Sequence, residues 1–185
     1  MIRTLLIPGL DGSPAPHWQH WWAATDPGAK IVEQQSWSKP SLEAWVTELA
    51  NAAWVHPNSV LVGHSLGAIT AVRLLASWPQ IRIAGALLVA PAEPDRCPRI
   101  AGFGPIPERA LHHTAMVVAS RNDPWMGQDR ARHLARSWGA EFVDMGPAGH
   151  INTEAGFGPW PEGKALASLL RSLGAAQAAP AMTAI

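Results

Sequence analysis

Short apolar runs alternate with longer segments of helical periodicity along most of the chain, and this alternation limits the fold more than any other feature. It is the sequence pattern of βαβ units, in which crossover helices join parallel strands. Several runs consist almost wholly of Leu, Ile and Val, which is typical of strands covered on both faces. The predicted strands are Thr4–Ile7, Ile31–Gln35, Val60–Gly63, Gly85–Val89, Met116–Ala119 and Glu141–Asp144. The pattern therefore predicts an α/β fold with a mostly parallel sheet of about six strands.

Four helices are predicted from apolar residues that recur every three or four positions. They are Leu42–Trp54, Leu66–Trp78, Gln128–Trp138 and Pro161–Leu173. Right-handed crossovers would place helices on both faces of the sheet, which gives a three-layer α/β/α domain over residues 1–173. Residues 174–185 are Ala-rich and uncharged and are expected to form a flexible tail. Residues 91–107 are rich in Pro and Gly and are expected to be a functional loop or a lid.

Charge and cysteine content exclude several classes of protein. Lys plus Arg and Asp plus Glu each number 14, so electrostatics give no basis for binding nucleic acid or an anionic membrane. Cys97 is the only cysteine, so no disulfide can form within the chain, as is usual for cytosolic proteins. The apolar run Leu5–Ile7 stops at Pro8 and is too short for a signal peptide or a transmembrane helix. We expect a soluble, cytoplasmic protein.

Ser65 lies in Gly63-His64-Ser65-Leu66-Gly67, between a predicted strand and a predicted helix. Gly-x-Ser-x-Gly is the pattern of the nucleophile elbow, a sharp turn that exposes one serine at the edge of an α/β-hydrolase sheet. The flanking positions need small residues because strand and helix approach each other closely there. The short pattern also arises by chance, so its context carries the prediction that Ser65 is a nucleophile.

His150 is the predicted general base. A serine hydroxyl becomes a good nucleophile only when an imidazole takes its proton. In the α/β-hydrolase fold this histidine is the last triad residue along the chain and lies in a loop after a strand. His150 comes shortly after the strand Glu141–Asp144, and Gly149 lets the backbone bring the ring inward. Six other histidines fit this role less well. They are His64 beside the nucleophile, His112 and His113 at the opposite sheet edge, His133 within a helix, and His17 and His20, which could line the mouth of the pocket.

Asp123 is the predicted acid that fixes the tautomer of the base. It follows the strand Met116–Ala119, in the chain order Ser, Asp, His that this fold requires. A turn aspartate ahead of Pro124 is the structural alternative for this residue. Asp95, after the preceding strand, is the second candidate, whereas Asp144 lies within its own strand and is poorly placed.

An oxyanion hole needs two backbone N–H groups where negative charge develops, and these are predicted to be those of Leu10 and Leu66. The glycines near Leu10 could also cradle a phosphate, but no Gly-x-Gly-x-x-Gly or Walker-type Lys follows them. No histidine pair has a companion ligand at metal-binding spacing. We therefore expect neither a metal ion nor a cofactor.

Three blocks of the sequence resemble the small serine hydrolases of the retinoblastoma-binding-protein-9-like family. They are Gly63–Ile69, Asn122–Trp125, and Gly149–Asn152 with its continuation Gly158–Gly163, and the likeness spans residues 2–173. The resemblance implies a compact α/β hydrolase without a large cap, a triad of Ser65, Asp123 and His150, and esterase activity on small activated esters. The family is named for a member with a pocket-protein motif, Leu-x-Cys-x-Glu. The only cysteine here, Cys97, lies in a different context, so binding of pocket proteins is not expected.

The expected activity is carboxylesterase-like hydrolysis of a small ester through a covalent acyl-enzyme. A thioesterase, amidase or acyltransferase with the same triad is an alternative, since fold and motif do not separate these enzymes. A binding protein that keeps the fold without turnover is a further alternative. Phe103 and Trp125 are expected to line the substrate pocket because their loops lie at the catalytic edge of the sheet. Such a lining would favour an uncharged, apolar acyl or alcohol group.

Overall fold

A six-stranded, wholly parallel sheet forms the centre of the computed structural model, which describes residue 1 and residues 3–178. Its strands are β1 (Thr4–Ile7), β2 (Ala29–Ile31), β3 (Ser59–His64), β4 (Ile83–Val89), β5 (Ala115–Ala119) and β6 (Glu141–Asp144). Their order across the sheet is β2-β1-β3-β4-β5-β6, which confirms the predicted parallel α/β fold. The winding reverses between β1 and β3, and parallel sheets bind ligands beyond the carboxyl ends of their strands at such a switch point.

Five helices cover the two faces of this sheet. They are α1 (Trp18–Thr25), α2 (Leu42–Val55), α3 (Leu66–Ser77), α4 (Gln128–Trp138) and α5 (Pro161–Ala178). Helices α2, α3 and α4 pack on one face and α1 and α5 on the other, so the domain has three layers. None of the helices in the described part of the chain is both long and apolar enough to cross a membrane.

Strands β1 and β3 lie at the most buried part of the sheet, and every residue of both is buried. Successive side chains point to opposite faces, as the period of a strand requires. Leu5 and Ile7 contact the α2–α4 layer, whereas Leu6 contacts the layer formed by α1 and α5. The carboxyl ends of β1 and β3 are therefore held rigidly, and the loops that follow them are fixed in position.

Strand β2 is shorter and begins earlier than predicted, because it covers Ala29–Ile31 instead of Ile31–Gln35. It lies at the edge of the sheet, where its only neighbour is β1. The paired register ends at Leu6 and Ile31, and one more hydrogen bond joins the N–H of Val32 to the carbonyl of Leu6. Because β1 ends at Ile7, the residues after Val32 have no strand to pair with.

Helix α1 was not predicted from the sequence. His17 begins it, with its Nδ1 accepting a hydrogen bond from the N–H of Gln19. Trp18 and Trp22, four residues apart, are almost completely buried against the sheet. This spacing of two large apolar residues was the available signal, but the segment is short and follows two prolines, Pro14 and Pro16.

Helix α5 continues to Ala178, five residues beyond the predicted end at Leu173. The sequence predicts that the tail starts at Gly174, yet in the structure this residue lies inside the helix against β4. A Cβ atom at this position would lie 2.0 Å from the carbonyl oxygen of Ala84, so the glycine permits a close approach of helix and strand. Residues 179–185 of the predicted tail lie outside the described residues.

The predicted loop of residues 91–107 contains two short 3₁₀ helices, Pro94–Arg96 and Pro98–Phe103. Ile100 packs into the core beneath it. The guanidinium group of Arg73 on α3 donates hydrogen bonds to the carbonyl oxygens of Phe103 and Pro105. The C-terminal part of the segment is thus anchored to α3. Its N-terminal part lies over the carboxyl edge of the sheet.

Candidate active site

Ser65 occupies a sharp turn between β3 and α3, with φ 56° and ψ −121°. Positive φ is uncommon for a residue other than glycine and marks a strained turn. The two glycines of the motif make this turn possible. A Cβ on Gly63 would lie 2.6 Å from the carbonyl oxygen of Gly67, and a Cβ on Gly67 would lie 2.0 Å from the carbonyl oxygen of Ile7. Both distances are far below van der Waals contact, so only glycine fits either position.

Ser65, His150 and Asp123 form a continuous chain of hydrogen bonds. The Oγ of Ser65 lies 2.9 Å from Nε2 of His150, and Nδ1 of His150 lies 3.0 and 2.9 Å from the two carboxylate oxygens of Asp123. Because a carboxylate only accepts hydrogen bonds, Nδ1 carries the proton and Nε2 is free to accept the hydroxyl proton of Ser65. The side chains of His150 and Asp123 are only 9% and 3% exposed. The arrangement can remove a proton from Ser65 in a site that is largely shielded from water.

The other two candidate carboxylates do not reach His150. Asp95 lies in the exposed 3₁₀ helix Pro94–Arg96. Asp144 forms a salt bridge of 2.9 Å with Arg121, whose hydrogen bonds hold the pKa of Asp144 below its ordinary value. Asp123 is further fixed by the N–H of Trp125, which donates to its Oδ1 at 2.8 Å.

The loop that carries His150 is tied to the loop that carries Asp123. Ser120 Oγ accepts a hydrogen bond of 2.9 Å from the N–H of Ala148, and Asn122 Oδ1 accepts one of 2.8 Å from the N–H of Gly149. The sequence analysis assigned neither side chain a role, although Asn122 is adjacent to the predicted acid and Ser120 stands three residues before it. They couple the position of the base to that of its carboxylate partner.

The two residues predicted to supply the amides of the oxyanion hole line the cavity that contains the nucleophile. Leu66 is the first residue of α3, where a backbone N–H has no acceptor within the helix. Gly9 approaches Ser65 so closely that a Cβ on Gly9 would lie 2.9 Å from the Cβ of the serine. The next residue, Leu10, lines the same cavity as Leu66 and Ser65.

A cavity of about 260 Å³ opens above Ser65. Trp125 lines it and is 36% exposed, as expected for a residue at its outer rim. The expectation for Phe103 was wrong: its side chain is 1% exposed and packs edge-to-face on Trp45, with ring centroids 5.8 Å apart. The 3₁₀ helix turns this side chain toward α2 and the core, and presents Ile100 to the cavity instead. The cavity is also lined by Asp11, Gly12, His17, His64, Ala92, Cys97, Asn152 and Glu154.

Asp11, which lines the cavity, forms an ion pair with Arg99. The guanidinium group of Arg99 donates to both carboxylate oxygens, at 3.0 and 2.5 Å, and holds the pKa of Asp11 below its ordinary value. Arg99 also donates to the carbonyl oxygen of Ser38. Arg99 thereby links the segment of residues 91–107 to the loop after β1 through Asp11 and to the loop after β2 through Ser38.

Two of the other histidines lie next to the triad. His17 and His64 are buried beside His150, and their rings stand 4.9 Å apart. His20, which was expected near the pocket mouth, is exposed and does not line the cavity. His113 and His133 are engaged elsewhere. The ring of His113 lies 2.7 Å from the carbonyl oxygen of Leu111, and that of His133 lies 2.7 Å from Glu108. No group of three potential metal ligands occurs among the described residues.

Burial makes two of these histidines neutral at ordinary pH. Desolvation, with a smaller effect of the neighbouring His150, lowers the pKa of His17 to about 4. Desolvation is also the main cause that holds the pKa of His64 well below 6.5. In the unfolded chain both pKa values return to about 6.5. The unfolded state therefore binds more protons below this pH, and the protein loses stability as the pH falls from 6.5 toward 4.

We expect His17→Asn to remove part of this pH dependence. The shift of His17 alone contributes about 2 kcal/mol to the difference in unfolding free energy between pH 7.5 and pH 4.5. Urea unfolding at the two pH values measures this difference, and Asn retains an oxygen that can cap α1. The exposed neighbour His20 provides the control variant His20→Asn, which is expected to leave the difference unchanged. The prediction would be contradicted if His17→Asn and His20→Asn reduced the difference in unfolding free energy between the two pH values by the same amount.

Comparisons with known proteins relate the chain to hydrolases. The serine hydrolase family matches residues 4–168 of the chain. The hydrolase YdeN of Bacillus subtilis is 23% identical over 172 residues, which span 86% of this chain and 90% of YdeN. A YdeN-like hydrolase from Pectobacterium atrosepticum has a solved structure with a TM-score of 0.82 and 39% identity, covering 94% of this chain and 92% of that one. The crystal structure of B. subtilis YdeN has a TM-score of 0.74 at 22% identity, covers 93% of this chain and all of YdeN, and shows the fold alone.

These similarities confirm the broader expectation of a small serine hydrolase with an α/β-hydrolase fold. The narrower resemblance to retinoblastoma-binding-protein-9-like enzymes stays a prediction. The family match covers nearly the whole sheet and its flanking helices, from the first residue of β1 to within α5. The chain belongs to the serine hydrolase family.

Proposed function

We propose that this hydrolase cleaves small carboxylic esters through an acyl-enzyme, with Ser65 as nucleophile, His150 as general base and acid, and Asp123 as the partner of His150. The observation that carries the proposal is the chain of hydrogen bonds from Ser65 Oγ through both ring nitrogens of His150 to Asp123, none longer than 3.0 Å. Nucleophile, base and orienting acid within such distances are the requirement for covalent catalysis by serine.

In the first half of the reaction, Ser65 Oγ attacks the carbonyl carbon of the ester and its proton passes to Nε2 of His150. The negative charge on the carbonyl oxygen is stabilised by the N–H groups of Leu10 and Leu66. The protonated His150 then donates this proton to the oxygen of the departing alcohol, so the C–O bond breaks without forming an alkoxide. An ester between Ser65 and the acyl group remains.

In the second half, a water molecule takes the place of the alcohol. His150 accepts a proton from the water as its oxygen attacks the acyl carbon, and then returns the proton to Ser65 Oγ as the acid is released. Asp123 keeps the proton of Nδ1 in place throughout and stabilises the imidazolium ion. The net reaction consumes one water and yields an acid and an alcohol.

The cavity favours a short, uncharged acyl group. Its volume of about 260 Å³ is below the usual range for sites that hold drug-sized ligands. Leu10, Ala92, Cys97 and Ile100 give its wall an apolar surface. Trp125 and Glu154 also line an open groove outside the cavity, together with Arg96 and Pro124. We infer that the acyl group binds inside and that the alcohol departs across Trp125.

Labelling with a fluorophosphonate probe tests the proposal, because this reagent reacts with a serine only when its hydroxyl is activated. We expect the wild-type protein to be labelled and to hydrolyse p-nitrophenyl acetate, and Ser65→Ala to lose both properties. Ser137→Ala, which changes a partly exposed serine on α4, serves as the matched control and retains both. Absence of labelling in the intact wild-type protein would refute the mechanism and favour a non-catalytic binding role.

A further inference from the structure

The loop that carries the base is strained on both sides of His150. Gly149 has φ 57° and Ile151 has φ 48°. Positive φ is open to glycine, but for a β-branched residue such as isoleucine it is an outlier. A backbone in this state persists only when surrounding contacts hold it there. The contacts that hold residues 150 and 151 therefore decide where the imidazole ring of His150 points.

His64 supplies the first of these contacts. Its Nε2 lies 2.9 Å from the carbonyl oxygen of His150, and the residue is buried. Because the ring is neutral and a carbonyl oxygen can only accept, Nε2 carries the proton and donates it to this oxygen. His64 is the neighbour of the nucleophile in the chain. The hydrogen bond consequently joins the turn that holds Ser65 directly to the backbone of its base.

Trp18 on α1 supplies the second contact. Its indole N–H donates to the carbonyl oxygen of Ile151 at 2.8 Å, and the side chain is fully buried. Trp18 and His64 also pack on each other edge-to-face, with ring centroids 5.8 Å apart. Trp160 also packs edge-to-face on Trp18, with ring centroids 5.1 Å apart. The two donors are thus rigid, and together they hold two successive carbonyl groups of the strained loop.

We propose that His64 and Trp18 are positioning residues for catalysis, which hold the backbone of His150 and Ile151 so that the imidazole stays between Ser65 and Asp123. This inference rests on the proposed function. Neither side chain bonds to the reacting atoms, so each acts through the base. A displacement of a catalytic group by about 1 Å can lower the rate by a factor on the order of 10². Release of either carbonyl permits such a displacement.

The test removes each donor and keeps an apolar side chain in its place. Trp18→Phe deletes the indole N–H, and His64→Leu deletes the imidazole N–H. In His64→Gln the amide nitrogen takes the place of Nε2 and can still donate. We expect Trp18→Phe and His64→Leu to lower kcat for p-nitrophenyl acetate by a factor of roughly 10 to 100, with KM changed less than about threefold. We expect His64→Gln to restore kcat to within about threefold of the wild type.

Two variants far from the site control for a general loss of stability. Trp138 is also a buried tryptophan whose N–H donates to a backbone carbonyl, that of Pro107, at 2.7 Å. The ring of His113 likewise contacts the backbone carbonyls of Leu111 and Ile81. Trp138→Phe and His113→Leu therefore remove equivalent contacts elsewhere. We expect both to lower the urea midpoint but to leave kcat per folded molecule unchanged.

The rate of fluorophosphonate labelling separates the possible outcomes. If wild-type protein is labelled and Trp18→Phe is labelled equally fast, the positioning role is wrong while the proposed function stands. If activity falls in all four donor deletions in proportion to their loss of stability, the role of both residues is merely structural and the inference is also wrong. If the wild-type protein is not labelled at all, the proposed function itself fails. Selective loss in Trp18→Phe, with recovery in His64→Gln, supports the inference.

Discussion

Asp123→Asn is expected to lower kcat for ester hydrolysis by a factor on the order of 10⁴, as the same change does in other serine triads. The carboxylate of Asp123 accepts the hydrogen bond from the Nδ1–H of His150 through both of its oxygens. An amide in its place can donate its N–H to Nδ1, which moves the imidazole proton to Nε2. The atom that faces Ser65 Oγ would then be a donor, and it could no longer take the hydroxyl proton.

Steady-state kinetics with p-nitrophenyl acetate, together with urea unfolding, measure this effect. The loss is expected in kcat, because the tautomer of His150 affects the chemical step rather than the cavity. Asp95→Asn is the matched control, since Asp95 is exposed and was the second candidate from the sequence. If Asp95→Asn loses activity and Asp123→Asn retains it, the assignment of the acid is wrong.

Gly67→Ala is expected to lower the free energy of unfolding by at least about 3 kcal/mol. The added methyl group would lie 2.0 Å from the carbonyl oxygen of Ile7 and 2.5 Å from that of Pro8. Both neighbours are backbone atoms at the end of a fully buried strand, so neither can rotate away as a side chain would. Relief requires that α3 move off the sheet, which also displaces Ser65 and the N–H of Leu66.

Urea unfolding of this variant against Gly102→Ala tests the prediction. Nothing lies within 4 Å of a Cβ placed on Gly102, and its φ is not positive, so an alanine there is expected to be neutral or slightly stabilising. A loss of about 3 kcal/mol is a large part of the 5–15 kcal/mol that holds a typical domain folded. Equal stability of the two variants would show that the contact of α3 with β1 is not as close as described.

Local patterns explain why much of the site could be predicted. The strands β1 and β6 and the helix α4 have the bounds expected from apolar runs and helical periodicity, because each is a continuous segment with its own pattern. Ser65 was found through two glycines within two residues of it. Both positions require glycine because the absence of a Cβ atom leaves room for the backbone of α3 and β1.

Side-chain direction explains the errors. Phe103 lies in the segment over the cavity, as expected, but its ring points into the core against Trp45. The 3₁₀ helix that turns it inward is anchored by Arg73, which stands 30 residues earlier in the chain. Helix α1 was missed because eight residues carry too weak a periodic signal, and burial of Trp18 and Trp22 against the sheet supplies the stability.

The sequence by itself determined the succession of the six strands and of four of the five described helices along the chain, the turn at Ser65, and the loops that hold Asp123 and His150. Each of these follows from neighbouring residues and the backbone conformations that they permit. Only the tertiary structure decided which carboxylate reaches His150 and which side chains hold the backbone of its loop. His64 and Trp18 contact that loop across 86 and 133 residues of chain. Such contacts arise when packed layers bring distant segments together, and no local pattern encodes them.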